Sequence, residues 1–121
     1  MADATVDRDP NCLFCKIVAG EIPSDLVRED ELVVVFRDIN PRAPTHVLAV
    51  PRQHIPSAYE LTDADGPLLA ALFASMRAVV DEAGLGRAYR IVTNVGAAAG
   101  QSVDHLHFHL LGGRQMSWPP G

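Results

Sequence analysis

At 121 residues and 13.0 kDa, with hydrophobic residues at 48% and charged residues at 21%, the chain has enough apolar material for one core and too little length for two ordinary domains. Nine of its ten basic residues are Arg, spread out rather than clustered, and fifteen acidic residues bring the formal net charge to -5, which argues against a groove that tracks nucleic-acid phosphates. The opening MADATVDRDP lacks the basic start and apolar run of a secretory signal, and no apolar stretch approaches a membrane span, so the expected location is the cytoplasm, with no membrane partner.

Residues 1–10 alternate small and acidic residues up to Pro10 and carry no regular period; they read as a flexible arm ahead of a single domain over residues 11–121 that includes an extended C-terminal tail. Leu13, Phe14, Ile17 and Val18 recur at helical spacing between Asn11, a capping residue type, and Gly20, a stop signal. This short helix carries Cys12 and Cys15, whose spacing fits half a metal site, a dithiol or two small core residues, and does not fit a secreted disulfide scaffold.

Residues 26–29 and 32–37 are β-compatible runs around Asp30 and Glu31, as in a hairpin. Asp38, Asn40, Pro41 and Pro44 then make a turn-rich connection to a strand over 45–50 that begins near His46 and stops at Pro51. Ser57 followed by Glu60 suits one capped turn. Leu68, Leu69, Leu72, Phe73, Met76, Val79 and Val80 line one face of a long helix ending at Ala83 and Gly84, and Pro67 in its first turn favours Asp65 over Thr62 as the cap. Residues 89–94 form a strand, Val95 to Gly100 a tight loop, 105–111 the last strand, and Gly112 and Gly113 release the tail. Together these elements predict an α+β domain, a mostly antiparallel sheet packed on one face by helices.

In the last strand a strict period of two places His105, His107 and His109 on one face and Leu106, Phe108 and Leu110 on the other. Neighbouring imidazoles on such a face are about 7 Å apart. That is too far for His105 and His107 to be assumed ligands of one ion, and it suits one ring attacking a substrate while another orients or relays a proton. Just upstream, Gly100, Gln101, Ser102 and Val103 offer a close backbone approach, an amide, a hydroxyl and backbone donors, and Asn94 adds a second amide; such groups can hold phosphate oxygens without a Lys. A neutral imidazole beside them can attack phosphorus, which points to nucleotidyl transfer or hydrolysis. Taken singly, Asp38 is equally a turn cap, Phe36 a core residue, and Gln101 and Ser102 ordinary loop residues.

The run His105-Leu106-His107-Phe108-His109-Leu110-Leu111 resembles the signature of the histidine-triad (HIT) superfamily. The segment GQSVDHLHFHLLGGRQMSWPPG is similar to its nucleotide-binding branch, of the purine nucleoside phosphoramidase type. With the stretches IVAGEIPS, INPRAPTH and VPRQHI, the resemblance spans residues 12–121. It implies an antiparallel five-stranded sheet with one long and one short helix, continued across a homodimer into ten strands, and a nucleoside monophosphate pocket, such as one for AMP, in each subunit. It further implies hydrolysis of the P–N bond of adenosine or guanosine 5'-phosphoramidates through a covalent nucleotidyl-histidine, with His107 as nucleophile.

Carried over residue by residue, the resemblance places Ser102 near the leaving group, lets Asn94, Gln101 and His109 position phosphate oxygens or relay protons, and makes His46 part of the polar wall. Gly100 and Val103 complete the phosphate loop, Asp38 takes the ribose hydroxyls, and Ile17, Ile22, Phe36 and Ile39, with Phe14 close by, form the base slot. Trp118 belongs to a tail that crosses toward the dimer partner on the leaving-group side. No organic cofactor is implied. Some bacterial members resemble this chain in carrying two Cys with two His on a structural zinc, here Cys12, Cys15, His54 and His105. Asp104 stands where close eukaryotic relatives have an aromatic residue, and Ser117 where several have another His, which puts the preferred amine in question. The competing readings are cleavage of dinucleoside polyphosphates and a non-catalytic nucleotide-binding dimer.

Overall fold

The computed structural model describes residues 8–121, so most of the arm expected over 1–10 lies outside the described residues. Of that stretch, Asp9 is engaged: its carbonyl accepts from the Cys12 N–H at 3.0 Å and its carboxylate from the Asn11 N–H at 2.9 Å.

Helix α1 is Leu13–Val18, followed by strands β1 (Leu26–Glu29), β2 (Val33–Arg37) and β3 (Thr45–Pro51). Helix α2 is Gly66–Ala83, and strands β4 (Tyr89–Val92) and β5 (Phe108–Gly112) complete the fold. The five strands form one antiparallel sheet in the order β1-β2-β3-β5-β4, with a bulge in β1 between Leu26 and Arg28. The expected α+β fold with a five-stranded antiparallel sheet, one long helix and one short helix is present. Among the described residues no helix is long and apolar enough to cross a membrane.

Alternation divides the core into two layers. Val33 and Val35 of β2, Val47 and Ala49 of β3, and Leu106, Phe108 and Leu110 meet Leu68, Leu72, Met76, Val79 and Val80 of α2. Val34, Phe36, Leu48 and Val50 point the other way, against Phe14, Cys12 and Cys15. Because β2 and β3 are covered on both faces, their sequences are continuous apolar runs rather than alternating ones. Phe73 sits at the rim of the α2 layer, tilted on Phe108 at 5.6 Å and half exposed.

Two boundaries differ from the sequence expectation, the cap of α1 and the start of the last strand, while Asp65 caps the long helix as expected. The cap of α1 is Cys12, whose Sγ accepts from the Cys15 N–H at 3.3 Å, and not Asn11. Both candidate caps of the long helix are used. Thr62 caps the short turn Asp63–Asp65 in a reciprocal box with the Asp65 carboxylate, and that turn runs directly into α2, where Asp65 holds the N-cap position without a side-chain bond. The last strand begins at Phe108, leaving His105 and His107 ahead of it. The ladder with β3 ends at the pair Ala49 and Phe108, because its next partners are otherwise engaged. Pro51 has no N–H to give, its carbonyl accepts from His105, and the Leu106 N–H donates to the Ile55 carbonyl at 2.6 Å. The side-chain alternation nonetheless continues through 105–107, with Leu106 in the α2 layer.

Candidate active site and metal centre

On the face of the sheet opposite α2, His46 enters from β3, His109 from β5, and Asp38 from the turn after β2, where its N–H donates to the His46 carbonyl at 3.0 Å. His46 Nδ1 accepts from the Arg42 backbone N–H at 3.0 Å. Its proton in the neutral ring is therefore on Nε2, which donates to His109 Nδ1 at 2.9 Å, with Asp38 Oδ2 at 3.4 Å from the same nitrogen. His109 in turn carries its proton on Nε2. Burial lowers the pKa of both rings below 6.5, opposed by Asp38; His107 and His46 lower that of His109 further, and Arg42 that of His46. Asp38 Oδ1 accepts from the Asn40 N–H at 2.8 Å, so this carboxylate caps its turn and faces the histidines at once.

His107 is oriented by one bond: its Nδ1–H donates to the His105 carbonyl at 2.8 Å. The lone pair is thus on Nε2. The ring stands edge-on to Phe14 at 5.1 Å and beside His109 at 5.1 Å, closer than the about 7 Å that an ideal strand spacing gives. The residue is only 5% exposed. Among the described residues, however, the only buried side-chain nitrogen or oxygen without a partner is Arg28 Nε, so the unpartnered Nε2 atoms of His107 and His109 reach solvent.

The loop expected to hold phosphate is built differently from what its residue types suggest. The Gln101 carbonyl oxygen accepts from the Gly96 N–H at 2.8 Å, and its amide donates to the carbonyls of Pro56 at 2.7 Å and Val103 at 3.0 Å. This side chain is spent on shaping the loop and has nothing left for a phosphate oxygen. Gly100 has φ +98, a conformation that suits glycine, and lies against the Asn94 side chain. Ser102 is exposed, while Val103 packs on the α1 layer.

Of the residues assigned to the base slot, Phe14 and Phe36 meet edge to face at 5.5 Å and Ile17 packs beside them. Ile22 is half-buried. Ile39 is fully exposed. Trp118 is likewise exposed; its neighbour Ser117 is tied to β4 by the Arg90 guanidinium, which donates to the Ser117 carbonyl at 2.9 Å. A cleft of about 560 Å³ between the loop 41–45 and the end of α2 touches Asp38 and His46 but not His107.

Beside the triad, Cys12, Cys15, His54 and His105 converge, with one donor atom from each lying within 4.8 Å of the others. His105 Nε2–H donates to the Pro51 carbonyl at 2.8 Å, which turns the Nδ1 lone pair toward Cys12 Sγ at 3.3 Å and Cys15 Sγ at 3.5 Å. His54 Nδ1 lies 3.4 Å from Cys15 Sγ. A tetrahedral ion with bonds of 2.0–2.3 Å separates its ligands by about 3.3–3.8 Å, so the donor set fits such an ion. Two backbone N–H groups, of Cys15 and Asp9, donate to the sulfurs, the kind of outer support that orients metal ligands. In the metal-free cluster, burial pushes the Cys15 thiol up to about 11 and His105 down to about 4.

Asp38, His46 and His109 also bring three donor atoms together, yet they do not make a second such set. The Arg42 N–H occupies His46 Nδ1 and forces a proton, not a lone pair, into the centre of that cluster.

A family described as "Scavenger mRNA decapping enzyme C-term binding" matches residues 11–118. The crystal structure of a HIT family hydrolase from Legionella pneumophila is 50% identical and superposes with a TM-score of 0.89, covering 92% of this chain and 100% of that one. The chain belongs to the histidine-triad superfamily. An uncharacterized HIT-like protein of Synechococcus elongatus is 48% identical over 109 residues, 90% of this chain and 96% of that protein. A 14 kDa zinc-binding protein of Zea mays is 45% identical over 115 residues, 93% and 90% of the two chains. The histidine-triad fold with its clustered histidines supports a hydrolase.

Three groups that position the triad had no signal in the sequence. The Arg42 N–H and the Pro51 carbonyl are backbone atoms. Thr93 Oγ1 donates to the His107 carbonyl at 2.8 Å from a position whose residue type is unremarkable at a strand end.

Proposed function

We propose that this histidine-triad protein hydrolyses the P–N bond of purine nucleoside 5'-phosphoramidates through a nucleotidyl adduct on His107. The observation that carries the reading is the His107 Nδ1–H bond to the His105 carbonyl, which leaves Nε2 as a nucleophile with no proton to lose before attack. In the first step a bond forms between Nε2 and the α-phosphorus, the P–N bond breaks, and the amine departs with a proton. In the second, water attacks the same phosphorus, the N–P bond to His107 breaks, and the nucleoside monophosphate leaves.

Asn94, Ser102, Gly100 and Val103 line the phosphate side, Ser102 on the side of the amine, while Gln101 acts by holding the loop. His109 and His46 relay protons over their 2.9 Å bond. Asp38 accepts the ribose hydroxyls, and Phe14, Phe36, Ile17 and Ile22 take the purine. A structural zinc held by Cys12, Cys15, His54 and His105 would supply a cross-link between α1 and the triad. In a homodimer the sheet continues through an open edge; half-exposed Tyr89 on β4 and Phe73 over β5 favour the β4 edge, which also brings Trp118 toward a partner.

The test is intact-mass analysis after brief reaction with an adenosine 5'-phosphoramidate. A gain of one adenylyl group is expected in the native protein and no gain in His107→Ala. Unchanged turnover in that variant would leave a binding dimer, and preference for a dinucleoside polyphosphate over the phosphoramidate would move the substrate class.

A further inference from the structure

We propose that Cys12 and Cys15 are a peroxide-sensitive latch on His107, whose oxidation to a disulfide frees the nucleophilic ring from its fixed tautomer. The inference rests on the reading of His107 as nucleophile and goes beyond it. One peptide segment serves both clusters: the His105 ring faces the two sulfurs at 3.3 and 3.5 Å, while the His105 carbonyl is the acceptor for His107 Nδ1–H at 2.8 Å. Apart from the sulfurs, the ring is held by one bond, to the Pro51 carbonyl. Whatever the sulfurs do is therefore passed through His105 to His107.

The pair is arranged for disulfide formation. Cys12 is the N-cap of α1 and its Sγ accepts from the Cys15 N–H at 3.3 Å, so the two side chains leave the same helix end facing each other. Solvent also has a route in. A small pocket of about 170 Å³, flanked by Arg8, Lys16 and Glu21, opens onto Cys15, while the His105 ring is fully buried against Phe14. Through this pocket the sulfur reached is that of Cys15. Burial keeps the Cys15 thiol protonated when no ion is bound; as the thiolate that a bound cation would hold, it attacks a peroxide oxygen, the O–O bond breaks, and a sulfenic acid forms with release of water. The Cys12 thiolate then displaces hydroxide from that sulfur, and two electrons from the pair have reduced one peroxide to two waters with two protons taken up. The cluster is left with His54 and His105 alone, too few donors for a tetrahedral ion.

The experiment uses the full chain loaded with zinc and treated with hydrogen peroxide, with three readouts. Both thiols should disappear together, the ion should pass to a chromophoric chelator, and the nitrogen-15 side-chain spectrum of His107 should change from a fixed Nδ1–H tautomer to an averaged one, all reversed by a dithiol reductant. Cys12→His, which keeps four donors and cannot form the disulfide, should hold the His107 spectrum unchanged under the same treatment. Oxidised thiols and a released ion with an unaltered His107 spectrum would overturn the latch, as would thiols that survive peroxide at concentrations that oxidise a small-molecule thiol. Each readout is made without nucleotide, so failure of the phosphoramidase reading would show separately, as absent turnover in the reduced protein.

Discussion

Two clusters share one face of this sheet, both built around histidine, and they are opposites in what they present to a ligand. At the Cys12 and Cys15 end the ring of His105 is fully buried, its proton drawn off to the Pro51 carbonyl, so a lone pair points inward among sulfurs. At the Asp38 end the ring of His46 has its lone pair engaged by the Arg42 N–H, so a proton points inward. Asp38 and His109 there keep about a fifth of their side chains in water, 17% and 21%. The first arrangement is a set of donors for a cation, and the second is a proton held between bases beside solvent. His107 lies between them and is set by the first: its own proton is taken by a backbone carbonyl of the metal-type cluster. What each histidine can do follows from which backbone atom occupies its other nitrogen.

The sharpest test of that division is His107→Ala. If His107 is the nucleophile as proposed, its loss should lower phosphoramidate turnover at least about a thousandfold, measured by steady-state kinetics, while the metal content stays equal to that of the native protein. A variant that loses its metal as well would mean that the two clusters are not separable. Next in size is removal of the proposed ion. Chelation, or Cys15→Ser, should abolish metal binding and lower the unfolding midpoint by about 10 °C or more, followed by circular dichroism. Asp38→Asn should do neither; a fall in metal content in that variant would merge the clusters and break the comparison.

Acid separates them further. In metal-free protein the buried His105 resists protonation until about 4, against the ordinary value of 6.5, so between those values the unfolded chain binds a proton that the folded one refuses. Stability therefore falls as pH drops from about 6.5 to about 4 and levels off below, by at most roughly 3 kcal/mol from this group. Urea titrations across that window would read it. His105→Asn should reduce the dependence, leaving the share of His46 and His109, whose pKa values burial also lowers.

How much of this could be read from the chain follows from where the information lies. The long helix was legible because seven apolar side chains repeat at its period, and β2 and β3 because their apolar runs are unbroken, although those runs alone did not say that both faces are covered. The histidine alternation was legible as a face, since side-chain direction depends only on the local extended backbone. The start of β5 was not, because pairing is decided by the partner: Pro51 and Ile55, far away in sequence, determine where the ladder stops. Gln101 shows the same limit at the site. Its residue type suggests a phosphate ligand, and three backbone partners in the fold turn it into a loop brace. The donor set of the metal-type cluster could be named from its residue types, but the direction of each lone pair depends on carbonyls and N–H groups that every residue possesses.

The smallest expected effect concerns the far side of His107. Thr93 Oγ1 donates to the His107 carbonyl at 2.8 Å, fixing the backbone of the triad from just beyond the end of β4 while the His105 carbonyl fixes the ring. Thr93→Val keeps the shape and removes that donor, at a cost of about 1 kcal/mol in stability by denaturant titration. If ring orientation is governed from the His105 side, kcat should fall no more than a few-fold with KM unchanged, and the metal content should not move. A loss of kcat approaching that of His107→Ala would place control of the nucleophile just beyond β4 instead, and the dependence of the triad on the Cys12 and Cys15 cluster would have to be abandoned.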